Sequence, residues 1–86
     1  MKFINVGYGN LVAAERIVLV AGPDSAPIRR LIQDAKDEGR AIDLTCGRKI
    51  RAVIITDTEH VIMSALPGEK IAARASGVEA AGDVDE

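Results

Sequence analysis

A small α+β fold is what this sequence predicts: a mostly antiparallel sheet of about five strands, one main helix and a short C-terminal helix. Three observations carry that expectation. Apolar residues recur at helical spacing through one long stretch, at Ile28, Leu31, Ile32 and Ala35. Short runs such as "RIVLVA" and "RAVIITD" have the length and β-branched character of strands. Punctuation such as "VGYGN" and "GPDSAP" separates the segments.

The totals set the scale. At 86 residues the expected organisation is one domain over residues 1–76 and an acidic tail over residues 77–86. A chain this short buries only about 60% of the surface its unfolded form exposes, which leaves room for a second source of stability. Although 48% of the residues are apolar, Phe3 and Tyr8 are the only aromatics, so the core must be aliphatic. Cys46 is the single cysteine. That excludes an internal disulfide and suits a reducing cytosol, so a cytoplasmic location is expected. No segment approaches the roughly 20 apolar residues of a membrane span, and no membrane partner is expected. Glycines and Asn5 interrupt "MKFINVGYGN", which therefore lacks a signal-peptide apolar region.

The net charge of −2 hides an asymmetry. Glu79, Asp83, Asp85 and Glu86 give the tail a charge of −4 with no base. The remaining 11 bases against 9 acids leave residues 1–76 at +2. Low complexity without apolar periodicity predicts a disordered tail.

In chain order, residues 2–6 read as a first strand ending at the glycine turn "GYG", and residues 16–21 as a second. Asp24 or Ser25 can cap the main helix, with Pro27 in its first turn, where a missing N–H costs nothing. Gly39 ends the helix as a left-handed residue. The segment "AIDLTCGRKIRAVIITDTEHVIMSAL" then reads as three antiparallel strands. Side-chain alternation favours a loop over residues 47–49, with Cys46 opposite Ile50, Leu44 opposite Ala52 and Ile42 opposite Ile54. Cys46 then falls on the core face. A second turn at Thr58 and Glu59 sets Thr56 against Val61, Ile55 against Ile62, Ile54 against Met63 and Val53 against Ser64. Both faces of that hairpin are largely apolar. One helix and a short second one, over residues 67–75 with Ile71 and Ala75 inward, are too little to cover them. An uncovered apolar face predicts contact with another subunit.

Chemistry is sparse except at the loop. Arg48, Lys49 and Arg51 place three cations within four positions, with no acid between Thr45 and Thr56. They read either as solvated turn charges or as a phosphate-binding patch, since guanidinium binds phosphate through parallel hydrogen bonds. One loop binds weakly, whereas copies arrayed on an oligomer gain avidity. Arg16, opening a strand, reads as an edge charge beside Glu15. The glycines of "VGYGN" match neither the dinucleotide fingerprint nor a phosphate-loop motif. A small-molecule sensor built on "GYGN" therefore has thin support, and no small-molecule ligand is expected. His60 lacks a companion at metal-ligand spacing. No set of nucleophile, base and orienting group emerges, so the chain is read as a non-enzyme with no cofactor and no metal.

The motifs "FINVGYGN", "PDSAPIRRLIQDAKDEG", "GRKIRAVIITD" and "HVIMSAL", in that order from about Lys2 to Arg74, resemble the RemA family. These are small bacterial DNA-binding regulators of extracellular-matrix (biofilm) genes that assemble into ring-shaped homo-oligomers, with DNA at the rim. The resemblance implies a homo-oligomeric ring here, double-stranded DNA as partner and a role in transcription regulation. The family's DNA-contacting positions are an arginine opening the second strand and a basic pair after the hairpin glycine, matched here by Arg16, Arg48 and Lys49. Arg51 joins them from local reasoning alone. The family's "SAP" proline is matched by Pro27, with an implied role in helix placement and assembly. Lys49 departs from the common arginine: it keeps the charge and loses the planar fork. The rival expectation is a structural or protein-interaction ring whose basic loops meet an acidic protein.

Overall fold

The computed structural model describes residues 2–77. The tail over residues 77–86 lies outside them except for Gly77. Among the described residues the chain forms six strands and two α-helices in an α+β arrangement. Strands β1 (Phe3–Asn5) and β2 (Leu11–Ala13) make a small antiparallel sheet. A 3-10 turn over Ala14–Arg16 leads into β3 (Ile17–Ala21), and α1 (Ala26–Glu38) follows. Then come β4 (Ala41–Asp43), β5 (Ala52–Thr56), β6 (Val61–Ser64) and α2 (Gly68–Ser76). The second sheet has the order β3-β5-β6-β4.

Local chemistry accounts for the helix ends. The Ser25 hydroxyl accepts from the Ile28 N–H at 3.4 Å, so Ser25 rather than Asp24 caps α1, and Pro27 lies in the first turn. Gly39, at φ 75°, closes the helix. Ile32 and Ala35 are buried, and Ile28 and Leu31 are half-buried beside them. Pro67 precedes α2, whose Ile71 is fully buried while Ala75 packs at the margin.

The four-stranded sheet is covered on both faces by the chain itself. On one side Ala52, Ile54 and Ile62 pack with Ile4, Val6 and Ile71, contributed by the small sheet, its turn and α2. On the other, Val53, Val61 and Met63 pack with Ile32 and Ala35 of α1. This corrects the expectation of a bare face on the β5–β6 hairpin. The missing cover is β2, unrecognised in "LVA", which folds back on β1 to make a lid for one face. Ser64 fastens that lid: its buried hydroxyl donates to the Val6 carbonyl at 2.7 Å and accepts from the Leu66 N–H at 3.0 Å. What stays exposed lies elsewhere. Phe3 and Leu11 project from the small sheet, and Val18 and Leu19 stand on β3, an edge strand that α1 leaves open by packing over β4 and β6.

Three further expectations are corrected. First, the segment beginning at Ala41 is not the hairpin partner of β5. Both edges of β5 are taken, by β3 and β6, so β4 pairs parallel to β6, with Ile42 opposite Ile62. Alternation fixes which face Ile42 shares, and Ile54 does lie on that face; it does not fix the neighbouring strand. Second, the β5–β6 register differs by one residue: Ile54 pairs with Ile62 and Val53 with Met63. The loop is closed by Thr56 N–H donating to the His60 carbonyl at 3.1 Å, with Glu59 at φ 66°. A three-residue hairpin loop needs a left-handed residue there, normally glycine, and glutamate gave no such signal. Third, Cys46 is exposed and at φ 54°, and Thr45 is the buried residue instead. The Asp43 carboxylate accepts from the Thr45 N–H (2.9 Å) and hydroxyl (2.6 Å), turning the chain before a strand could reach Cys46.

Candidate nucleic-acid interface

The basic loop hangs from that turn. With Cys46 at φ 54° and Gly47 at φ 81°, both central residues are left-handed, and the Arg48 N–H returns to the Thr45 carbonyl at 2.9 Å. Arg48, Lys49 and Arg51 are all exposed. The Arg51 N–H donates to the Ser64 carbonyl at 2.9 Å, which fixes the loop's exit against β6. The Thr45 hydroxyl and then its N–H hold the Asp43 carboxyl below its ordinary value, with the Lys36 ammonium adding to the shift. That carboxylate is therefore spent on the loop's own base.

Arg16 is elsewhere. It closes the 3-10 turn rather than opening β3, and its partner is Asp57, not Glu15: Nη1 donates to Oδ2 at 3.1 Å. The Asp57 N–H also donates to the Arg16 carbonyl, at 2.9 Å. Asp57 directly follows β5 and Arg51 directly precedes it, so Arg16 and the loop are about 20 Å apart at strand rise. The structure thus brings Arg48, Lys49 and Arg51 together and sets Arg16 at the far end of the sheet.

Charge differs between the two ends. Near Arg16, the turn after β5 is met by Arg40, which donates to the Glu59 carbonyl and pairs with Glu38. Cations there are matched by carboxylates. At the loop end, β3 finishes opposite Val53 and α1 starts from the same side. Exposed Arg29 and Arg30 on the first turns of α1 therefore lie toward the end that carries the basic loop. Helix periodicity leaves both outside the buried stripe of α1 and says no more; their placement depends on β3 pairing with β5, a long-range fact. Pro27 shares an open cleft with Ala26 and Arg30. Among the described residues no group of three or more His, Cys, Asp or Glu could hold a metal ion, and no helix is long and apolar enough to cross a membrane.

Fold and site together define a small α+β domain that presents a cationic loop on a self-covered sheet. A model of the RemA-like family, described as extracellular matrix regulatory protein A-like, matches residues 3–75. The chain belongs to that family. It is 57% identical over 77 residues to a protein of Geobacillus thermodenitrificans strain NG80-2, covering 90% of this chain and 88% of the relative. It is 54% identical over 86 residues to one of Heliobacterium modesticaldum, covering 100% and 94%. A Moorella thermoacetica relative is 51% identical over the same span and shares. These relatives carry regulatory-protein names, which supports a regulatory role for the family.

Proposed function

We propose that the protein is a cytoplasmic DNA-binding transcription regulator of the RemA type, acting on matrix genes as a ring-shaped homo-oligomer. Arg48, Lys49 and Arg51 contact phosphates of double-stranded DNA, Arg16 adds a second contact, and Pro27 sets the helix for assembly. The observation that carries this reading is the turn itself. Two left-handed residues, Cys46 and Gly47, expose three cations from a loop whose nearest carboxylate in sequence, Asp43, is bonded to Thr45. The exposed Val18 and Leu19 on the β3 edge support contact with another copy. Phosphate contacts of this kind give affinity without sequence information, so selectivity would arise from DNA shape and deformability.

Titrating the chain against duplex DNA across salt tests the reading. Each neutralised phosphate adds roughly 0.9 to the slope of log affinity against log salt, so several subunits acting together give a steep line. A monomeric mass with and without duplex, or a flat salt response, would refute it.

A further inference from the structure

Asp57 has no role in the reading above, yet it is the residue that holds Arg16. We infer that Asp57 is a built-in phosphate mimic that occupies Arg16 until duplex DNA, already anchored on the basic loop, displaces it. The inference rests on the proposed DNA binding and deepens it. Several observations lead there. The pair joins through one guanidinium nitrogen, Nη1, leaving the other N–H groups of a five-donor side chain for another acceptor. Both side chains are well exposed, at 56% and 42%, so exchange of partner needs no desolvation of a buried charge.

The backbone of Asp57, by contrast, is pinned, which keeps its carboxylate within reach of Arg16. Its own N–H is tied to the Arg16 carbonyl. The turn that carries it is braced by the hydroxyls of Thr56 and Thr58, 2.9 Å apart, by Thr58 with the His60 Nδ1 at 2.7 Å, and by the His60 N–H on the Thr56 hydroxyl. A tethered carboxylate competes with any incoming anion at high effective concentration. A small free anion meets that competition alone. A phosphate chain held at Arg48, Lys49 and Arg51 has an effective concentration of its own, and it wins the exchange. Asp57 would thus raise the preference for extended polyanions over small ones.

The test is a cycle of Asp57→Asn, Arg16→Ala and the double variant, read by fluorescence anisotropy on a labelled duplex, with inorganic pyrophosphate as the small-anion competitor. An exposed ion pair is worth about 0.2–1 kcal/mol, so Asp57→Asn should tighten duplex binding by about 1.4- to fivefold per contacting subunit. Pyrophosphate should compete with duplex more effectively in that variant than in the wild type. In the Arg16→Ala background the same change should gain nothing. Asp57→Ser serves as the second variant, and unchanged thermal midpoints exclude a folding effect. Unchanged or weaker binding by Asp57→Asn overturns the inference, as does an equal gain without Arg16, which would mark a general charge effect. Absence of duplex binding by the wild type at low salt overturns the functional reading itself.

Discussion

Arg51 and Arg16 mark the two ends of β5, one directly before Ala52 and the other gripping Asp57 directly after Thr56. Side chains that far apart touch no common residue, so any coupling between them on DNA runs through the duplex itself. Because Arg16 exchanges Asp57 only for a duplex already anchored on the loop, Arg16→Ala should cost less duplex affinity in the Arg48→Ala/Lys49→Ala background than in the wild type. The loop pair should flatten the salt slope more than Arg16, whose charge is already half-answered by Asp57. Anisotropy titrations at four salt concentrations measure both quantities.

Acid should loosen the loop's base. Hydrogen bonds from Thr45 depress the Asp43 carboxyl, so its stabilisation is fully present above its unfolded value of about 4. It is lost as pH falls through the lower folded-state value. Thermal midpoints followed from pH 6 downward should decline there, and Asp43→Asn should remove that share of the decline. An identical pH profile for the variant would contradict it.

Arg74 is a buried cation that the sequence reading passed over. Only 7% exposed, it donates from Nη1 to the Asn5 carbonyl at 2.6 Å, and its own carbonyl accepts from the Lys2 ammonium at 2.6 Å. It pins α2 to β1, the lid over Ile54 and Ile62. Arg74→Ala should lower unfolding free energy by about 1.5–3 kcal/mol, the range for a hydrogen bond to a charged group. Urea denaturation reads this directly.

Two glycines should respond with opposite signs. Gly47 is at φ 81°, where an L side chain is strained, and Gly47→Ala should cost about 1–2 kcal/mol. Gly22 has no positive φ and open space where a Cβ would go. Gly22→Ala should be neutral or stabilise by about 0.4–1 kcal/mol. Equal effects at the two sites would argue against the left-handed turn that presents Arg48 and Lys49.

The sequence made some of this legible. The spacing of Ile28, Leu31, Ile32 and Ala35 specified α1, because an amphipathic helix writes its buried stripe locally. Exposure of Arg48, Lys49 and Arg51 was equally readable, since cations beside a turn glycine have nowhere to bury. Neighbour relations were not readable. Ile42 shows the right face beside either β5 or β6, and only the competition of β3 for β5 decides between them. Three-residue β2 is too short to show alternation, and without it one face of the sheet looked bare. Asp57 as the partner of Arg16 was hidden for the same reason: the two are joined across β3 and β5, 41 positions apart.

The exposed sulfur of Cys46 has a practical consequence. It is the only thiol in the chain and sits at the crest of the turn, two positions from Arg48. A maleimide dye placed there labels one spot per copy, beside the cations. Energy transfer between dyes on mixed copies then tests whether copies associate, and emission on adding duplex tests for contact, from a single chemical step.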